Sequence, residues 1–283
     1  MNFRVNCQLE YTLDSPATFF FALSGEVAGG QHVLSESLVT QPFVPVVEFN
    51  IAGGMSRITR IRTLNPGTLS LSYQADISTS TRIIPVGSIA ADELAGLDPV
   101  AVPLLFPSRY CQSDLLRQHA QDLFGHLQHP YEIAAAVSDW IYENIAYVSG
   151  SSGETSSALD TLEGRRGVCR DFLHLGIAFC RAMNVPARYM SCYACQMEPP
   201  DFHACFEAFV DGRWFIFDPT RLASLNGLIR IATGRDAADT AVCTIFGNPE
   251  LTLSAVWCIS TDTSFIPITR DDLAWHNEAI SLL

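Results

Sequence analysis

The chain has 283 residues, 48% of them hydrophobic and 17% charged, a composition that supports two folded domains and contains no disordered or low-complexity tract. Lys and Arg number 17 against 30 Asp and Glu, a formal charge of -13, which argues against nucleic acid and anionic membranes as partners, because both are held by clustered cations. Nine cysteines, an odd number scattered along a chain that opens without a secretory pattern, read as reduced thiols and point to a cytoplasmic protein.

Up to about Ile89 the text is strand-like. VNCQLEYTL, GMSRITRIRTL and LSLSYQADI each alternate apolar and polar residues, with Gly, Pro, Asn and Ser between them, which predicts an antiparallel β domain over 1–105. Ala90 to Ser113, with Pro99, Pro103 and Pro107, reads as a connector. Asp114 is placed to cap a helix reaching about Leu127, and Pro130 opens a second helix. In that second helix Ile133, Val137, Trp140, Ile141, Asn144 and Ile145 keep helical spacing, so Trp140 is read as core.

The polar run Ser149 to Ser157 is a loop, and a helix is predicted from about Val168 to Met183. Three strands follow, ARYMSCYAC, HACFEAFV and RWFIFDPT, the last two joined by Asp211-Gly212, a two-residue hairpin signal. These elements form a unit over 106–225. The tail, 226–283, holds GRDAADT and the strand-like LTLSAVWCIS and SFIPITR, and is read as a β extension packing on the preceding domains.

Cys169 opens the 168–183 helix, where free backbone N–H groups and the helix dipole favour an anion, and a thiol beside a His at such a place is one that can act as a nucleophile. His203 begins the first hairpin strand and Asp218 ends the second. A two-residue loop at 211–212 pairs residues whose numbers sum to 423, which sets Cys205 opposite Asp218 and makes Asp218 the same-face diagonal neighbour of His203. Read singly, these are an inert thiol, a strand-start His and an Asp-Pro turn. Read together they are the parts of a nucleophile, base and orienter.

GVCRDFLHLGIAFCRAMNVPARYMSCY, then DFHACFEAF, then WFIFDPTR resemble, in order, the core signature of bacterial transglutaminase-like proteins, and PSRYCQSD and GRDAADT resemble segments that accompany it. The resemblance implies a papain-like α+β core, a Cys-bearing helix on an antiparallel sheet, behind an N-terminal antiparallel β domain. It implies Cys169 as nucleophile, His203 as base and Asp218 as orienter in acyl transfer on a peptide or protein amide, with no metal or organic cofactor. The Cys169 backbone N–H would supply one oxyanion donor, and Tyr147 is a candidate for a second. Relatives usually carry Trp where this chain has Cys205, which is read as repacking beside Asp218, with a reshaped acyl pocket or oxidation against Cys169 as the alternatives. Hydrolysis, as a cysteine peptidase or amidase, is the expected outcome. Protein-glutamine transglutaminase or deamidase activity with the same triad is the alternative, and a catalytically silent peptide-binding module is the alternative of another class.

Other residues invite chemistry. Cys192 and Cys195 with His203 and Cys205 could make a zinc set, but strand alternation sends the two CxxC thiols to opposite faces. His119, His126 and His129 are read as solvated helix surface, His174 as structural and Asp171 as a partner of the helix dipole. Glu207 is expected to be buried in an ion network. Arg165, Arg166 and Arg170 either serve solubility or hold a thiolate or an acidic substrate.

Overall fold

The computed structural model describes residues 1–50, 56–91 and 94–282. The first half of the chain builds strands β1 (Asn2–Leu13), β2 (Ala17–Phe21), β3 (Gln31–Gln41), β4 (Val46–Asn50), β5 (Arg57–Thr63), β6 (Gly67–Thr79) and β7 (Thr81–Pro85). It continues with helices α1 (Arg117–Phe124) and α2 (Pro130–Asn144), the short β8 (Ala146–Tyr147), α3 (Ala158–Gly164) and the short β9 (Arg166–Gly167). Then come α4 (Cys169–Ala182), β10 (Ala187–Ala194), β11 (Phe202–Val210), β12 (Arg213–Phe217) and β13 (Leu228–Gly234). The tail adds α5 (Ala237–Thr240), β14 (Cys243–Phe246), β15 (Glu250–Ser260), α6 (Arg270–His276) and β16 (Glu278–Leu282).

Strict alternation in β1 buries Phe3, Val5, Cys7, Leu9, Tyr11 and Leu13 on one face. That strand is central in an antiparallel sheet of order β15-β1-β6-β3 and shares one hydrophobic core with the sheet β14-β2-β5-β4. A third, six-stranded sheet runs β13-β10-β11-β12-β16-β7. Its face bearing Ala204, Phe206, Ala208 and Phe215 packs against α2 and α4. Gly176 lets α4 approach closely, since a Cβ there would meet the Phe206 ring at 3.0 Å. The architecture is α+β, with an antiparallel N-terminal β body and a helix-on-sheet core.

The hairpin follows the register read from sequence: Phe206 pairs with Phe217 and Val210 with Arg213, with Asp211 and Gly212 at φ of 52° and 69° as a tight hairpin turn requires. Helix α4 starts one residue after its extended cap, Val168. Helix α1 is shorter than expected, because Leu116 is buried in the core and residues 112–116 turn to bring it there.

The tail differs most from expectation. LTLSAVWCIS is a strand that packs on a preceding domain as expected, extending the N-terminal sheet beside β1. SFIPITR is irregular: Phe265 packs edge-on to Phe3, and Thr269 with Asp272 forms a capping box that starts α6. Strands β13 and β16, which the sequence reading did not single out, join the third sheet. Arg181, 2% exposed, stitches these parts together through the carbonyls of Phe106, Ala187 and Arg235 and the hydroxyl of Ser108.

Candidate active site

The start of α4 is held by its own side chains. Asp171 accepts the Val168 N–H at 2.9 Å, and Gly167 makes room for it, because a Cβ at 167 would lie 2.6 Å from the Asp171 Cβ. Gly167 and Arg166 also pair in parallel with Tyr147 and Ala146. This anchors the half-buried Cys169 at the first helical position.

His203, 3% exposed, comes up from β11 beside Cys169, on the same cleft, where the thiol helps to raise its pKa. Nε2 of His203 faces Asp218 Oδ2 at 2.9 Å, which leaves Nδ1 for the thiol. Asp218 is itself fixed: Oδ1 accepts the Thr220 N–H at 2.9 Å and the Thr220 hydroxyl at 2.6 Å, and Oδ2 also accepts the Ala223 N–H at 3.1 Å.

Burial alone would push the His203 pKa down and the Asp218 pKa up. Their mutual attraction and hydrogen bonds outweigh it, so His203 titrates well above its usual 6.5 and Asp218 below its usual range. The three groups named from sequence thus come together, His203 held by Asp218 and lying beside Cys169 on one cleft.

Tyr147 is beside it, 48% exposed, its ring 5.8 Å from Phe172 and its hydroxyl near Cys169. Burial first, then the neighbouring thiol, raises its pKa. Cys205 is fully buried in one core cluster with Met190, Cys192 and Ile216, and burial pushes its thiol pKa well up. Cys195 belongs to the N-terminal core instead, against Cys258, so the CxxC thiols do point apart. The ligand atoms of His203, Cys205 and Asp218 lie within 4.8 Å of one another, but both Asp218 oxygens already take donors and the Nε2 of His203 is engaged by Asp218, an arrangement of hydrogen bonds rather than of ligands round a cation.

Of the three histidines read as helix surface, only His126 is exposed. His119 stacks on Phe179 at 5.8 Å, because α1 lies across α4, and His129 caps α2 by accepting the Tyr131 N–H at 3.2 Å. Arg165 lies over the Trp140 ring, Arg170 reaches the Gly153 carbonyl and Asp171, and Arg166 is exposed. Glu207 is fully buried between Arg188, at 2.7 Å, and Arg230. His174 is buried, stacked on Tyr110 at 4.8 Å, and accepts the Ala237 N–H at Nε2.

A cleft of about 560 Å³ opens beside Cys169 and His203. One of its walls, residues 237–245, comes from the tail. The first part of that wall belongs to GRDAADT and is held by the Tyr110 N–H on Asp236 and the Ala237 N–H on His174, whereas nothing local in the sequence announced the second part, which β14 brings there by pairing with β2.

With this geometry in view, the sequence matches the transglutaminase-like superfamily over residues 117–219 and the bacterial transglutaminase N-terminal domain over residues 1–99. The chain belongs to the transglutaminase-like superfamily. A protein of Cytophaga hutchinsonii named a putative cysteine protease shares 45% identity with it, over 100% of this chain and 98% of that one, with a TM-score of 0.95. An uncharacterized protein of Mycobacterium leprae is 33% identical over 40% of this chain and 43% of its own length. One of Mycobacterium tuberculosis (strain H37Rv) is 29% identical over 69% of this chain and 60% of its own length. The chain thus spans about half the length of these curated mycobacterial relatives.

Proposed function

We propose that this protein is a cysteine-nucleophile enzyme that cleaves peptide or protein amide bonds by acyl transfer to water. The observation that carries this reading is the buried, hydrogen-bonded Asp218–His203 pair beside a half-buried Cys169 on one cleft. The Cys169 sulfur attacks the amide carbonyl, and the bond to nitrogen breaks as His203 passes its Nδ1 proton to the leaving amine, giving a thioester. Water then attacks the thioester, with His203 taking its proton, and the acid leaves as the thiol is restored. Asp218 holds the ring by Nε2 and stabilises its charged form. The Cys169 N–H and the Tyr147 hydroxyl would bind the oxyanion.

Protein-glutamine transglutaminase chemistry differs only in the second acceptor. A generic acyl donor, p-nitrophenyl acetate, separates the two when offered with and without excess ethanolamine. The expected result is a Cys169 thioester, found by mass spectrometry, that breaks down to acetate at a rate the amine hardly changes, and that forms roughly 100-fold more slowly in Tyr147→Phe. Acetyl transfer to the amine as the main route would overturn the hydrolase reading, and no thioester at Cys169 would return the chain to a silent peptide-binding module. The nine unpaired thiols suit the reducing cytoplasm, and among the described residues no helix is long and apolar enough to cross a membrane.

A further inference from the structure

The tail wall of the cleft is the edge of a sheet. In the order β14-β2-β5-β4, β14 has a neighbour on one side only, with Cys243 opposite Phe21, Thr244 opposite Phe20 and Ile245 opposite Phe19. The carbonyl of Val242 accepts from the Ala22 N–H at 2.9 Å. Antiparallel ladders alternate, so the backbone groups of 242, 244 and 246 are spent on β2, and those of Cys243 and Ile245 point to the free side.

That free side is the cleft. Residues 240 to 245 line it consecutively, whereas a strand seen face-on would present every second residue. The side chains of Cys243 and Ile245 pack against the N-terminal core, so these two residues offer the cleft their N–H and C=O groups. Among the described residues, no hydrogen bond to the backbone of Cys243 or Ile245 is made from outside the β2 ladder. An unpaired edge of this kind is a template for another strand.

We propose that β14 is the docking strand for substrate: an extended peptide segment pairs with the backbone of Cys243 and Ile245 and so leads its scissile carbonyl to Cys169. Residues 241–245 span roughly 16 Å, room for four or five extended residues. Recognition is then through the peptide main chain and tolerant of sequence, in keeping with the small side chains of Ala237, Ala238 and Ala241 on the same wall. The substrate class is an unfolded or extended polypeptide, because a segment inside a folded sheet or helix has already spent its backbone groups on its neighbours and cannot thread the cleft. This inference rests on Cys169 being the nucleophile.

The test uses acetyl-(Ala)n-Gly chloromethyl ketones with n from zero to three, each also made with one amide N-methylated, against iodoacetamide as a reagent with no peptide. The expected result is a rate of Cys169 alkylation that climbs about tenfold or more with peptide length. It should fall about tenfold when the one amide that donates to β14 is methylated. Ile245→Pro removes only the cleft-facing N–H and should shrink the gain with length, edge strands accepting Pro at such positions; if that variant does not fold, the N-methyl series on the native chain decides alone. Rates that ignore peptide length and methylation, with Cys169 still reactive to iodoacetamide, would overturn the docking strand and leave the nucleophile intact. A Cys169 that reacts preferentially with neither reagent would sink the nucleophile reading, and the docking strand with it.

Discussion

At the scale of single residues, two buried histidines pull in opposite directions. His203 is raised above 6.5 because Asp218 outweighs the effect of its burial. His174 is held well below 6.5, by burial first and then by Arg170 and Arg181, between the rings of Tyr110 and Tyr189. The signs fix the pH windows. Below 6.5 the unfolded chain protonates its position-174 imidazole while the folded one does not, so stability falls with acid by up to about 1.4 kcal/mol per pH unit. Above 6.5 the folded chain keeps the His203 proton that the unfolded chain has lost, so that contribution fades as pH rises toward the folded value. Denaturant unfolding should therefore show a stability maximum near 6.5. His174→Gln, which keeps an acceptor for the Ala237 N–H, should flatten the acid limb and leave the alkaline one. An unchanged acid limb in that variant would show that His174 is not its source.

At the scale of elements, the charged cluster in the third sheet joins the two bodies. Glu207 on β11 holds Arg188 on β10 and Arg230 on β13, and Arg230 also lies 3.8 Å from Glu26 of the N-terminal body. Gln31 closes the joint by hydrogen bonds to the Glu26 and Arg230 carbonyls and from the Arg230 N–H. Glu207→Gln leaves the buried Arg230 guanidinium short of countercharge, and should cost roughly 3–5 kcal/mol in chemical denaturation. A loss below about 1 kcal/mol would mean that Glu26 alone suffices.

Glu207 was legible because strand alternation turns it to the same, inward face as His203, and the hairpin register because Asp211-Gly212 signals a two-residue turn. What could not be read was any element defined by a distant partner. LTLSAVWCIS carries the strand signal, but nothing in it names β1, and SFIPITR reads as strand until Thr269 and Asp272 cap a helix.

At the scale of the molecule, the same division runs through the site. Cys169, His203 and Asp218 lie within about 50 residues of chain on one helix and one hairpin, so local rules place them. The β14 part of the cleft wall comes from the tail by way of β2, and the packing of His119 depends on how α1 crosses α4, so neither follows from spacing.

The proposed chemistry needs Cys169 and His203 to act as one unit, which is tested by the rate of iodoacetamide alkylation at each of the nine cysteines, read by peptide mass spectrometry in the native chain and in His203→Ala. Cys169 should react far faster than the other eight at neutral and mildly acidic pH, and should lose most of that advantage in the variant. A Cys169 that reacts no faster than the buried thiols, or equally fast without His203, would contradict the account.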